Sequence, residues 1–160
     1  MTYRATISIS QQRLFVWQGD SCVYHCQISS AANGVGCIRD SGCTPTGKHY
    51  VRAAIGEEHP SLAVFKARRP TGEQWSPELA AEYPERDWIL GRILWLCGTE
   101  SGINRGGNVD TFRRYIYLHG SPDDGVMSVP ASHGCIRLRV SDMLNVFDYL
   151  RYGSLVDVLP

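Results

Sequence analysis

The chain has 160 residues, 43% hydrophobic and 20% charged, and its 16 Lys plus Arg balance 16 Asp plus Glu. That length and composition fit one globular unit with a sizeable core and exclude a disordered chain. A formal net charge of zero argues against nucleic-acid partners and anionic membrane surfaces, which call for clustered basic charge, and no run of about 20 apolar residues is available to span a bilayer.

Met1-Thr2-Tyr3-Arg4 leads directly into the alternating Ala5-Thr6-Ile7-Ser8-Ile9-Ser10. A secretory signal needs a continuous apolar stretch of about 7–15 residues, so the expected compartment is the cytoplasm; a trimmed N-terminus would make it the periplasm. Thr6 to Ser10 reads as a strand, Leu14 to Trp17 as a second, and Cys22 to Ile28 as a third after a Gly19-Asp20 turn, a hairpin signature. Cys22, Tyr24, Cys26 and Ile28 share one face of the third strand, which puts His25 on the other, at the surface or edge. Residues 30 to 47 form a polar, Gly-rich loop ending in the turn Thr44-Pro45-Thr46-Gly47. Lys48 to Ile55 is a strand. From Gly56 to Trp88 four prolines break the pattern, with a short helical piece from Pro77 to Tyr83, and this stretch reads as an insertion or lid.

Ile89 to Leu96 is an apolar strand, and Thr99 to Asn108 a second Gly-rich loop. Arg114 to His119 alternates, with Tyr115, Tyr117 and His119 on one face. Ser141 suits a helix N-cap and Asp142 the first-turn dipole. Met143, Leu144, Phe147 and Leu150 then recur as one helical stripe, with Gly153 ending the helix. Leu155 to Leu159 is the last strand. The whole is mostly β with one clear C-terminal-region helix. The six cysteines, Cys22, Cys26, Cys37, Cys43, Cys97 and Cys135, are expected as free thiols in a reducing compartment. Of these, Cys37 and Cys43 are the pair that a flexible loop could bring within disulfide range. The C-x3-C and C-x5-C spacings match structural zinc sites poorly, so no metal site is expected.

Chemistry concentrates in Tyr117-Leu118-His119-Gly120 and, further on, Ser132-His133-Gly134-Cys135-Ile136-Arg137-Leu138. Gly134 lets backbone and substrate approach closely. A cysteine nucleophile needs a base, because a thiol near its free pKa is only a few per cent ionised at neutral pH. His119 and His133 are both available. A third group must hold the base in one tautomer, and a backbone carbonyl beside His119 could do so.

These two segments, with the opening Ile7-Ser8-Ile9-Ser10-Gln11-Gln12-Arg13-Leu14 and the Thr44-Pro45-Thr46-Gly47 turn, resemble the L,D-transpeptidase (YkuD) catalytic domain along nearly the whole chain. The resemblance implies a mixed β sandwich with a helix packed on it, forming one catalytic domain over residues 1–160 with the insertion at 56–88. It implies that Cys135 attacks the carbonyl of the third residue of a peptidoglycan tetrapeptide stem. D-alanine would leave and a thioester would form. His119 would be the base and later the acid, with its ring oriented by the Gly120 carbonyl. The backbone around Gly134 and Cys135, with His133 nearby, would hold the oxyanion. Tyr117, Ser132 and Arg137 would line the pocket and meet substrate. No cofactor is implied, and the partners are stem peptides or soluble muropeptides, with carbapenem-type inhibitors. Family members that cross-link walls are exported. Lack of an export signal therefore favours hydrolysis, an L,D-carboxypeptidase acting on recycled muropeptides. The alternatives are 3-3 cross-linking by an amine acceptor and a module that binds stems without turnover.

Overall fold

The computed structural model describes residues 2–160. Strands β1 (Arg4–Ser8), β2 (Arg13–Gln18) and β3 (Ser21–Gln27) form an antiparallel meander. Period-two alternation sends Ile7, Leu14, Val16 and Cys26 inward to full or near-full burial. Gly19 supplies the positive φ (57°) of the turn between β2 and β3. His25 is exposed on the outermost strand, with Arg13 beside its Nδ1.

From β1 the sheet continues through β10 (Leu155–Leu159), β4 (Gly47–Ile55) and β7 (Ile89–Gly98). β10 runs parallel to β1, with Ile7 opposite Val158. On the other side of β7 lies β8 (Tyr117–Ser121), antiparallel, and then β9 (Ile136–Arg139), parallel to β8. Ser29, just past β3, exchanges two backbone hydrogen bonds of 2.9 Å with Arg137 of β9. The expected sandwich is therefore one mixed sheet, curled until its two ends meet.

The inside of the curl is the main core. Leu94, Leu96, Leu118, Ile136 and Leu138 from one half meet Ile7, Leu14, Val156 and Val158 from the other. The helix α2 (Val140–Tyr149) adds Met143 and Val146, and its C-cap adds Leu150, all fully buried. Fully burying each such side chain is worth about 1.5–3 kcal/mol, which is what holds the helix on the sheet. Val146 belongs to the buried stripe, whereas Leu144 and Phe147 are only half-buried. The N-cap is Arg139 rather than Ser141; the Ser141 N–H is instead satisfied by Asp123 Oδ1 at 3.1 Å. The helix stops at a Leu150 cap, and Gly153 (φ 90°) sits in the following turn, its N–H on the Val51 carbonyl.

Two other segments differ from the sequence reading. The stretch after Gly56 contains a hairpin, β5 (Ala63–Lys66) and β6 (Arg69–Gln74), as well as the short helix α1 (Pro77–Glu82). β5 pairs with β7 through Val64 and Leu90. Leu90 also pairs with Gly120, so β5 and β8 flank opposite edges of β7. The strand expected from Arg114 starts only at Tyr117. Phe112–Arg114 is a 3₁₀ turn and Tyr115 is left-handed (φ 57°), which interrupts the alternation. Tyr115 therefore does not share a strand face with His119.

Candidate active site

The outer face of β7, β8 and β9 carries the chemistry. Leu118, Ile136 and Leu138 point into the core, so Tyr117, His119, Cys135 and Arg137 face the other way. The parallel register sets Leu118 against Ile136 and His119 against Arg137. Cys135, one residue before β9, thus stands across from Tyr117 and diagonally from His119.

The turn that presents Cys135 is held by two hydroxyls. Thr44 Oγ1 donates to the Gly134 carbonyl at 2.9 Å and accepts the Ala31 N–H at 3.0 Å. Ser132 Oγ donates to the Cys135 carbonyl and accepts the Gly134 N–H at 3.2 Å. Gly134 has φ 139°, a region that disfavours any side chain, and a Cβ there would lie 3.1 Å from Ile116 Cδ1. Ser132 was expected to meet substrate. It is 3% exposed, with its hydroxyl taken up by its own turn, so it shapes the site from beneath. The Gly134 N–H is likewise engaged by Ser132, which leaves the Cys135 N–H, without an acceptor among the described residues, as the backbone donor beside the sulfur. His133 is exposed at the cleft.

His119 is 1% exposed. Its Nδ1 lies 2.8 Å from the Gly120 carbonyl. A carbonyl can only accept, so Nδ1 carries the proton and Nε2 keeps its lone pair. Burial depresses the pKa of His119, opposed by that hydrogen bond, so the ring is neutral. Gly120 is required by space as well as by its carbonyl: a Cβ would collide with the Leu90 carbonyl oxygen. Burial pushes the Cys135 thiol up to about 11, against the lowering influence of the Tyr117 N–H, Arg137 and Arg114. Its Sγ donates to the Tyr115 carbonyl and accepts the Tyr117 N–H, both at 3.3 Å. The resting pair is a neutral thiol and a neutral imidazole.

The remaining expected residues are tied to the insertion. Tyr117 is buried, edge-on to Trp95, and its hydroxyl accepts from Arg68 at 2.8 Å. Arg137 pairs with Asp87 at 3.0 Å. Ala63 and Phe65 of β5 pack in the same apolar cluster as Tyr117 and Cys135. Two hollows adjoin these residues. A hollow of about 320 Å³ is bordered by Asp87, His133 and Arg137, and one of about 470 Å³ by Arg68, Trp95 and Tyr115. Sequence reasoning did not assign Thr44, Arg68, Asp87 or Arg114 to the site. Only Thr44 carried a signal, through its turn motif. All six cysteines are free thiols, and among the described residues no cluster of three or more His, Cys, Asp or Glu is placed to hold a metal.

The family model of the L,D-transpeptidase catalytic domain (YkuD) matches residues 2–158. The chain belongs to this family. Among solved structures, an L,D-transpeptidase from Mycobacterium smegmatis superposes with a TM-score of 0.57 at 16% identity, over 99% of this chain and 59% of that one. An Enterococcus faecium L,D-transpeptidase gives 0.59 at 14% identity, over 99% and 50%. An L,D-transpeptidase in complex with imipenem gives 0.57 at 17%, over 99% and 59%. At such identities the likeness concerns the fold. This L,D-transpeptidase domain spans about half to three-fifths of those solved chains. No curated protein matches it.

Proposed function

We propose that this L,D-transpeptidase-family domain acts on peptidoglycan tetrapeptide stems through a Cys135 thioester, with water as its main acceptor. The observation that carries this reading is the His119–Gly120 hydrogen bond, which leaves Nε2 as a base on the face that bears Cys135. With the thiol held up to about 11, a preformed thiolate is scarce at neutral pH. Proton transfer from Sγ to His119 Nε2 therefore accompanies attack on the carbonyl of the third stem residue. The Cys135 N–H, with His133 alongside, receives the oxyanion; such donors are worth about 2.7–4 kcal/mol to a transition state. The tetrahedral intermediate collapses as His119 returns the proton to the nitrogen of D-alanine, which departs and leaves the thioester. His119 then deprotonates water, hydroxide adds to the thioester, and the tripeptide acid and the thiol are released.

Six free thiols, one of them exposed at Cys22, fit a reducing compartment. This supports a cytoplasmic enzyme that meets soluble muropeptides, as in recycling. An amine in place of water would give a 3-3 cross-link by the same steps, because the nucleophile and base do not distinguish the two. Carbapenems, as acylating agents, are expected to trap Cys135. The test is incubation with a disaccharide tetrapeptide followed by mass spectrometry of the products. Tripeptide plus free D-alanine is the expected result. Dimer would favour transpeptidation, and unchanged substrate would favour a binding module. Cell fractionation tests the compartment.

A further inference from the structure

The larger of these hollows, about 470 Å³, is lined by four arginines, Arg39, Arg68, Arg113 and Arg114. The chain's formal net charge is zero, so this is a local concentration of positive charge. The one carboxylate among its described lining residues, Asp110, accepts the backbone N–H groups of Gly106 at 2.8 Å and Arg113 at 3.0 Å. Two of the arginines are fixed in place. Arg114 donates to the carbonyls of Gly36 at 3.1 Å and Cys43 at 2.7 Å. Arg68 leaves the β5–β6 turn, where it and Ala67 both hold positive φ (65° and 49°), a backbone that disfavours residues with a Cβ. Its guanidinium lies 4.9 Å from the centre of the Trp95 ring and 4.7 Å from that of Tyr115. Arg39 and Arg113 are exposed, and neither guanidinium makes a hydrogen bond or ion pair among the described residues.

The hollow meets the site at Tyr115. Tyr115 lines it and gives its carbonyl to Cys135 Sγ. An adjoining space of about 390 Å³ runs past Arg113, Arg114 and Asp40 to His133. Guanidinium groups present planar donor forks that match a carboxylate in two parallel hydrogen bonds. An amide presents one acceptor, and its N–H donors would face other donors.

We propose that this hollow recognises free carboxylates of the acyl-donor peptide, so that the enzyme prefers stems with unmasked carboxylates over stems in which they are amidated. The inference takes its substrate from the acyl-transfer reading above. The test pairs a tetrapeptide stem carrying free carboxylates with its amidated counterpart. The expected kcat/KM ratio is about tenfold or more in favour of the free form, the scale of one charge-assisted hydrogen bond. The R39Q/R113Q double variant should bring that ratio close to one, mainly by raising KM for the free form. A ratio near one in the wild type, or equal losses on both peptides in the variant, would overturn the proposal. Binding is read separately on Cys135→Ala protein, by following arginine Nε–Hε NMR signals as each peptide is added. Selective binding of the free form, with neither peptide turned over by the wild type, would keep the hollow's role and remove the reaction. Turnover of both peptides without preference would keep the reaction and remove the role.

Discussion

His49 on β4 and His119 on β8 are both 1% exposed, and each directs Nδ1 to a backbone carbonyl, Gly47 at 2.9 Å and Gly120 at 2.8 Å. Burial lowers the pKa of both. They differ at Nε2. In His49 it accepts the Thr111 hydroxyl at 2.9 Å, which closes the ring's hydrogen bonding and ties β4 to the loop before the 3₁₀ turn. In His119, Nε2 has no partner among the described residues and lies on the face that presents a thiol one strand away. A carbonyl-fixed tautomer is thus equally good architecture for a structural and a catalytic imidazole. What separates the two is whether the second nitrogen is left with a lone pair to use.

The comparison breaks most simply at the thiol. Cys135→Ala should abolish turnover in a steady-state assay while the thermal midpoint stays within a few degrees of wild type. Substantial residual turnover would move the nucleophile elsewhere. Next comes the histidine pair. His119→Ala should lower kcat by about 10²–10⁴-fold, and His133→Ala by less. His49→Ala should leave kcat per folded molecule within about threefold but destabilise the fold by about 1–3 kcal/mol, because Thr111 and Gly47 lose a buried partner. Denaturant unfolding alongside kinetics separates these outcomes, and a reversal between His119 and His133 would mean the wrong base has been chosen.

A smaller effect sharpens the contrast between packing and positioning. Thr44→Val keeps the shape but removes the hydroxyl between Ala31 and Gly134. It should cost about 1–3 kcal/mol of stability and also lower kcat, since the Cys135 turn loosens. The mildest effect is in pH. Both buried rings titrate below the ordinary histidine value of 6.5, so the unfolded chain binds more protons than the folded one just below that value. Between about pH 6.5 and 8 these two rings leave stability flat, and it should fall as the pH drops beneath 6.5. The acid limb of kcat/KM, which reports His119, should likewise lie below 6.5, and His49→Gln should flatten the stability slope without moving that limb.

Much of the frame was legible because it rests on burial with a clear period. Ile7, Leu14 and Val16 alternate, and Leu155 to Leu159 forms the last strand at the expected bounds. The β5–β6 hairpin was not legible. β6, Arg-Pro-Thr-Gly-Glu-Gln, buries nothing fully, and Pro70 is tolerated because the strand lies at an edge. Its order comes from pairing with β5, not from its own pattern. The break at Tyr115 was hidden because a left-handed tyrosine looks like any other residue in an alternating string. At the site, the residue types were readable from two short segments, whereas the role of Ser132 was not. Whether a hydroxyl faces substrate or its own turn depends on a carbonyl three residues on, which only the folded turn reveals.

If Cys135 carries the acyl group, an acid quench should trap it there. The protein is mixed with tetrapeptide stem, quenched in acid within the first turnovers, and measured by intact mass and by peptide mapping. The expected result is a mass increase equal to the tripeptide acyl group, located on the peptide that contains Cys135 and absent from Cys135→Ala. Turnover with no adduct under any quench, or an adduct on another cysteine, would contradict it.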